Sequence, residues 1–156
     1  MKIKWKTLLI SIAIPLLVGA VAGLLTMNSM EQFSQLVKPL LSPPGWLFPV
    51  VWTILYTLMG IASYLVYTSG APKGQVSSAL TRYALQLAVN FFWSIFFFVF
   101  NWYLFSFFWL VLLWILVFAT LISFYRVSKP AGWLLLPYLL WVTFAAYLNL
   151  FIYLLN

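Results

Sequence analysis

The chain has 156 residues, of which 66% are hydrophobic and only 6% are charged; soluble domains carry about 25% charged residues, so a water-soluble domain is excluded. It contains no cysteine and no histidine, and Glu31 is its single acidic residue, which excludes disulfides, zinc sites, a haem ligated by Cys or His, a Ser-His-Asp triad and paired catalytic carboxylates. The net charge of +7 does not indicate nucleic-acid binding, because the basic residues flank apolar segments.

Five apolar segments are each long enough to cross a membrane as a helix, because the hydrocarbon core is roughly 30 Å thick and needs about 20 apolar residues. The first follows a basic start and resembles a signal peptide, but its length and the four later segments favour a retained transmembrane helix. We therefore predict an all-α, polytopic membrane protein in which residues 1–156 form a single five-transmembrane-helix bundle. The predicted helices span residues 7–26, 46–68, 79–100, 104–125 and 133–154, and the longest loop is the first, residues 27–45.

Two of these helices carry patterns that predict how they pack. Gly19 and Gly23 in the first helix form a GxxxG motif, which lets another helix approach closely. Packing within the bundle is favoured, and a contact between two copies of the chain is the alternative. The fourth helix is apolar nearly all round, so we predict that it is the helix most exposed to lipid.

The first loop leads into a proline-rich segment, residues 38–52, in which four of fifteen residues are proline. Each proline fixes φ and removes a backbone donor, so we predict a stiff cover over a pocket rather than a flexible linker. Residues 29–36 before it are predicted to form a short surface helix with Phe33 and Leu36 turned inward. Lys38 is then the cation nearest the pocket mouth, where it either meets an anionic ligand group or stays solvated.

Basic residues are distributed unequally between the two membrane sides. With five helices, seven of them lie on the side of the N-terminus and only Lys38 lies opposite. Because cytoplasmic loops are enriched in Lys and Arg, we predict a multi-pass cell-membrane protein with a cytoplasmic N-terminus and an extracytoplasmic first loop and C-terminus. The seven are Lys2, Lys4, Lys6, Lys73, Arg82, Arg126 and Lys129.

Aromatic and uncharged polar side chains recur at helical spacing along three of the predicted helices. Polar side chains in the hydrocarbon region normally face the bundle interior, so these stripes predict a pocket whose rings and amides suit a flat, mostly apolar ligand. No ionisable side chain falls within a predicted helix except Arg82, which disfavours proton-coupled or ion-coupled transport. The simpler alternatives are interface anchoring for the tryptophans and helix–helix bonds for Gln86 and Asn90. The candidate ligand-binding residues from these stripes are Trp52, Tyr56, Gln86, Asn90, Trp93, Tyr138, Trp141 and Ala145.

Three segments, in this order, resemble the tryptophan-rich sensory protein family, whose mitochondrial form is the translocator protein or peripheral-type benzodiazepine receptor. They are KPxxxPPGWLFPVVWTILYTLMGIASY from residue 38, QLAVNFFWSIFFF from residue 86, and WLLLPYLLWVTFAAYLN from residue 133. The resemblance covers essentially the whole chain. The middle of the second helix and the Pro-Tyr-x-x-Trp pattern of the fifth are its more specific parts.

The resemblance implies a five-helix bundle, commonly a homodimer, with a ligand pocket that opens toward the first loop. Members of the family bind porphyrins, many bind cholesterol or synthetic isoquinolines, and some bacterial members promote light-dependent breakdown of protoporphyrin. The tryptophans implicated in that reaction correspond to Trp52 and Trp141, which are the candidate catalytic residues. The family's pocket positions correspond to Phe33, Pro43, Pro44, Asn90, Trp93 and Ala145.

Three functions remain open. The first is a membrane receptor or sensor that holds porphyrins (tetrapyrroles) or similar flat hydrophobic molecules by ring stacking. This function requires no cofactor or metal. Its predicted partners are the porphyrin ligand, the lipid bilayer and a second copy of the chain. The second is light-dependent protoporphyrin degradation, in which an excited porphyrin exchanges an electron with Trp52 or Trp141. The third is a transporter that moves porphyrin or lipid across the membrane.

Overall fold

The structure is a computed structural model that describes residues 2–156, and within this range it consists of helices and loops without a β-strand. The helices are α1 Trp5–Thr26, α2 Met30–Ser34, α3 Leu47–Tyr67, α4 Lys73–Ser94, α5 Tyr103–Val127 and α6 Lys129–Leu155. All except α2 are long and apolar enough to cross a membrane, which confirms the predicted all-α polytopic fold. A 3-10 turn, Met27–Ser29, joins α1 to α2, and a π-helical turn, Ile95–Val99, extends α4.

Two membrane helices begin a full turn or more before the residue that the hydrophobic pattern predicts, whereas the other three begin within two residues of it. Helix α4 starts at Lys73, six residues before its predicted start and directly after Pro72. Helix α6 starts at Lys129, four residues early, with Pro130 in its first turn. Proline suits a helix start, because its φ is already helical and its missing N–H is not needed there. The additional turns are largely polar, so a pattern based on apolar residues does not find them.

Helix α1, not α5, is the most exposed of the five membrane helices, so the prediction that the fourth predicted helix faces lipid most was wrong. Helix α1 packs mainly against α3, whereas α5 packs against both α4 and α6. Apolar composition all round a helix therefore does not identify the lipid-facing helix, because helix contacts also use apolar faces. Helix α1 buries Pro15, Ala22 and Thr26, and α5 buries Ser106, Leu110, Leu113, Val117, Thr120 and Phe124.

Two glycines allow α1 and α3 to approach closely. A Cβ atom at Gly60 of α3 would collide with the backbone of Ile12 in α1, and one at Gly19 of α1 would collide with the ring of Tyr56 in α3. Gly19 thus serves packing within the bundle, which is the favoured interpretation of the GxxxG motif. A Cβ at Gly23, its other half, would meet no described atom within 4 Å, so that position leaves a gap.

We expect Gly60→Ala to destabilise the bundle by about 1–3 kcal/mol, because the added methyl group overpacks against helix backbone that cannot move aside alone. The matched control is Gly74→Ala: Gly74 is also helical, but a Cβ there meets no described atom within 4 Å. Thermal unfolding in detergent, followed by circular dichroism, measures both variants. Identical midpoints for Gly60→Ala and the parent would show that α1 and α3 do not touch at this point.

The first loop contains α2 within the predicted residues 29–36, and Phe33 and Leu36 pack against the buried core as predicted. Beyond α2 the chain has no regular structure until α3 begins at Leu47. The backbone of Val37 is hydrogen-bonded to the side chain of Asn156. The loop therefore covers the end of the bundle at which α6 finishes.

Candidate functional site

A cavity of about 460 Å³ lies inside the bundle beneath the first loop. Its walls come from α1, α3, α6 and α4 with its π-helical turn, and its cover comes from the loop. Six of the eleven candidate ligand-binding residues line it: Phe33, Trp52, Tyr56, Trp93, Trp141 and Ala145.

Aromatic rings hold one another in place around this cavity. The ring centroids of Trp52 and Trp141 are 6.5 Å apart and the ring planes meet at 89°, while Trp52 stacks on Tyr56 at 5.5 Å. Phe33 from the loop meets Phe98 at 5.3 Å. Mutually packed rings form a rigid, mostly apolar wall, which suits a rigid apolar guest.

The π-helical turn Ile95–Val99 brings two consecutive phenylalanines, Phe97 and Phe98, to the cavity. Their ring centroids are 4.8 Å apart with planes at 78°. Trp93, one turn earlier, stacks on Phe97 at 5.2 Å. The π-helical turn ends α4, and it widens the aromatic wall on the side of that helix.

Beneath the cavity, a chain of hydrogen bonds ties three helices together. The Tyr56 hydroxyl donates to Asn90 Oδ1 (3.0 Å), and Asn90 Nδ2 donates to the Tyr138 hydroxyl (2.7 Å). That hydroxyl donates in turn to Gln86 Oε1 (2.6 Å). Gln86, Asn90 and Tyr138 are buried and lie outside the cavity lining. Their contacts are helix–helix bonds, and they fix Tyr56, whose ring is part of the wall.

Two cavity tryptophans differ in the surroundings of their indole N–H. Trp93 Nε1 donates to Asn149 Oδ1 (3.0 Å), and Asn149 Nδ2 donates to the Tyr103 carbonyl (2.8 Å). Trp141 Nε1 and Ser42 Oγ are buried and make no hydrogen bond within the described chain, although both residues line the cavity. An unpaired buried polar group costs about 1–3 kcal/mol, so a ligand acceptor that reaches Trp141 Nε1 would recover that cost.

The adjacent prolines Pro43 and Pro44 lie outside the cavity lining, although the family resemblance places them at the pocket. The Pro44 carbonyl accepts a hydrogen bond from the Leu47 N–H (3.0 Å) in the turn that leads into α3. Their neighbours Ser42 and Gly45 line the cavity instead. The prolines therefore shape the cover without forming part of the wall.

Helix α1 supplies a wall that the sequence did not predict. Gly19, Ala20 and Gly23 line the cavity opposite Pro49 and Thr53 of α3. Four of these five, all except Gly19, are exposed on the surface of the bundle, so the cavity opens sideways between α1 and α3. The GxxxG motif was the sequence feature that could have indicated this opening, because a glycine that no neighbouring helix covers leaves a gap.

Lys38 lies close to the cavity, and the loop itself surrounds its charge. Its Nζ donates to the carbonyl oxygens of Ser34 (3.2 Å) and Leu36 (3.3 Å) and lies 4.9 Å from the ring centroid of Phe33. Lys38 thus caps carbonyl oxygens at the end of α2 and packs over a ring of the cavity wall. The two roles predicted for Lys38, contact with an anionic ligand group and exposure to solvent, did not include these contacts.

Comparison with known proteins agrees with the resemblance found in the sequence. The model described as "TspO/MBR family" matches residues 11–155. The chain is 44% identical to the Tryptophan-rich protein TspO of Chlorobaculum tepidum and 39% identical to that of Archaeoglobus fulgidus, over 96% of both chains in each case. It is 35% identical to the Translocator protein of Homo sapiens over 78% of this chain and 73% of that one.

Proposed function

The chain belongs to the TspO/MBR family, and from this premise we propose that it is a membrane receptor or sensor that binds porphyrins and similarly flat hydrophobic molecules inside the bundle. The observation that carries the proposal is the perpendicular pair Trp52 and Trp141, whose rings lie 6.5 Å apart at the cavity. The cavity volume of about 460 Å³ falls within the roughly 300–1,000 Å³ of ligand pockets. The gap between α1 and α3 leaves room for the edge of a ring system larger than the cavity.

Stacking and shape, rather than an iron ligand, hold the porphyrin in this proposal. The sequence has no histidine and no cysteine, and the hydroxyl of Tyr56, the tyrosine that lines the cavity, donates to Asn90 Oδ1. Metal-free protoporphyrin and haem should therefore bind with Kd values that agree within about threefold, or roughly 0.7 kcal/mol. A titration in lipid nanodiscs, followed by quenching of tryptophan fluorescence, measures both. Trp133→Phe is the control: Trp133 is 63% exposed and outside the cavity lining, so its loss should not change either Kd. Binding that requires iron would contradict the proposal.

A second candidate function is light-dependent degradation of protoporphyrin, and one observation favours it. Trp52 and Trp141 border the same cavity, so a porphyrin bound there would lie beside two oxidisable indoles. An excited porphyrin can take an electron from an indole without help from an acid–base residue. The activity would depend on binding and on indole oxidation, and it should be lost when either is removed.

Transport of tetrapyrroles or lipids is the remaining alternative. The hydrogen-bonded layer of Tyr56, Asn90 and Tyr138 lies between the cavity and the opposite end of the bundle, so passage through the bundle would require this layer to open. Uptake of protoporphyrin into sealed vesicles that contain the protein, compared with empty vesicles, distinguishes transport from binding.

We also propose the arrangement in the cell membrane that the basic residues favour, with the N-terminus in the cytoplasm and the first loop outside. Reporters that are active on one side only, fused to each terminus, test this orientation, and an external N-terminus would contradict it. The homodimer stays a prediction from the family resemblance. Light scattering, which gives the mass of the protein in detergent, tests it.

A further inference from the structure

Tyr147 of α6 and Asn156, the residue directly after α6, tie the first loop to the bundle. The Val37 N–H donates to Asn156 Oδ1 (3.1 Å), and Asn156 Nδ2 donates back to the Val37 carbonyl (2.8 Å). Further along the loop, the Tyr147 hydroxyl donates to the Leu40 carbonyl (2.7 Å). All three bonds are exposed, so water competes for the same groups and each bond contributes only modestly to stability. Such ties hold a segment in place and still allow it to detach.

The residue that follows these ties has a strained backbone. The Ser42 N–H donates to the Pro39 carbonyl (3.3 Å), which closes a turn whose third residue is Leu41, with φ of 72°. Turns with positive φ at this position favour Gly or Asn, because a larger side chain crowds the neighbouring backbone. Leu41 is 75% exposed, so packing of its side chain offsets little of the strain.

The strained turn continues directly into the cavity wall. Ser42, which follows Leu41, lines the cavity, as does Phe33 before the tied residues. Movement of residues 37–42 away from α6 would therefore withdraw part of the cover. The ties to α6 favour the closed loop, and the strain at Leu41 favours its release.

We propose that Asn156 and Tyr147 latch the first loop over the cavity against the strain at Leu41, and that this latch sets the rate at which a bound molecule leaves. The inference rests on the proposed function for the identity of that molecule, a porphyrin, whereas opening of the loop is a property of the protein without ligand. Loss of a tie should speed opening and relief of the strain should slow it. Substitutions in one small region thus change one rate in opposite directions.

Hydrogen exchange of the ligand-free protein in nanodiscs, resolved by NMR at the Ser42 amide, tests the latch. The hydrogen bond of this amide involves neither tie, so a change in its exchange on loss of a tie reports opening of the loop. We expect exchange roughly tenfold faster in Asn156→Ala, which removes both bonds to Val37 together with the bond from Asn156 Nδ2 to the Ile152 carbonyl. It should be roughly threefold faster in Tyr147→Phe, which removes one bond.

For Leu41→Asn the amide to follow is that of Val37, which donates to Asn156 Oδ1 outside the Pro39–Ser42 turn. Its exchange should slow roughly fivefold, because Asn tolerates positive φ. Tyr153→Phe is the control, since the Tyr153 hydroxyl makes no hydrogen bond in the described part of the chain.

The rate of protoporphyrin release is measured in a stopped-flow instrument by transfer to excess albumin. In each variant it should change in the same direction as the exchange rate. Unchanged exchange in both Asn156→Ala and Leu41→Asn would overturn the latch. Exchange that changes while release does not would also overturn the proposal, because the molecule would then leave by the gap between α1 and α3. If the parent binds no protoporphyrin, the proposed function is wrong, and the exchange rates alone decide whether the latch exists.

Discussion

Gly23→Phe should weaken protoporphyrin binding at least about 100-fold, or about 2.7 kcal/mol, while the bundle stays folded. Gly23 lines the cavity, and a Cβ atom there meets no described atom within 4 Å. The new ring can therefore occupy the space of the guest instead of displacing a helix. Fluorescence titration in nanodiscs measures the loss, and thermal unfolding checks that the midpoint stays near that of the parent.

The matched control for this substitution is the neighbouring residue of the same helix. Leu24 is 68% exposed and is not part of the cavity lining, so Leu24→Phe adds an aromatic ring to α1 without filling the cavity. Its affinity should stay within about twofold of the parent, or roughly 0.4 kcal/mol. If Gly23→Phe binds protoporphyrin as tightly as Leu24→Phe does, the ligand does not occupy this cavity.

The double substitution Trp52→Phe with Trp141→Phe should slow light-dependent breakdown of bound protoporphyrin at least about tenfold, equivalent to about 1.4 kcal/mol in the barrier. Phenylalanine retains an apolar ring at each position but is much harder to oxidise than an indole, so the electron donor is lost while most of the wall remains. The decay of porphyrin absorbance under constant illumination measures the rate. Every comparison is made at saturating occupancy, established by titration of each variant, so that weaker binding is not mistaken for slower chemistry.

Two exposed tryptophans provide a control with the same number of substitutions. Trp46 is 69% exposed and Trp133 is 63% exposed, and neither lines the cavity. Their joint replacement by phenylalanine should leave the photochemical rate unchanged. Equal rates in the two double variants would exclude the cavity indoles as the electron donors and leave binding as the supported activity.

The aromatic part of the site could be predicted from the sequence, because residues one helical turn apart share a face. Trp52 and Tyr56 have this spacing on α3, Trp141 and Ala145 have it on α6, and all four line the cavity. Their presence in the hydrocarbon region, with polar neighbours on the same stripe, indicated an inward face. Helical periodicity sufficed here because only the direction of each side chain had to be known.

The same argument did not separate wall residues from buried hydrogen-bond partners. Asn90 and Trp93 share a face of α4, yet Trp93 lines the cavity and Asn90 is bonded beneath it to Tyr56 and Tyr138. A stripe gives the face of a helix but not the depth at which the cavity ends. That depth depends on how α3, α4 and α6 pack together.

The contribution of α1 was missed for a related reason. Gly19 and Gly23 are one turn apart in the same motif, but Gly19 lies against Tyr56 and Gly23 lies against open space. The distance between two helices at each turn depends on every contact along them, including the close approach at Gly60. A local motif in one helix cannot specify that distance.

A structure determined with protoporphyrin bound is the most direct test of whether a planar guest lies inside this bundle. We predict porphyrin density beneath the first loop, in van der Waals contact with both Trp52 and Trp141 at about 3.5–4 Å. Porphyrin density on the lipid-facing surface of the helices, with none in contact with either indole, would contradict the proposed site.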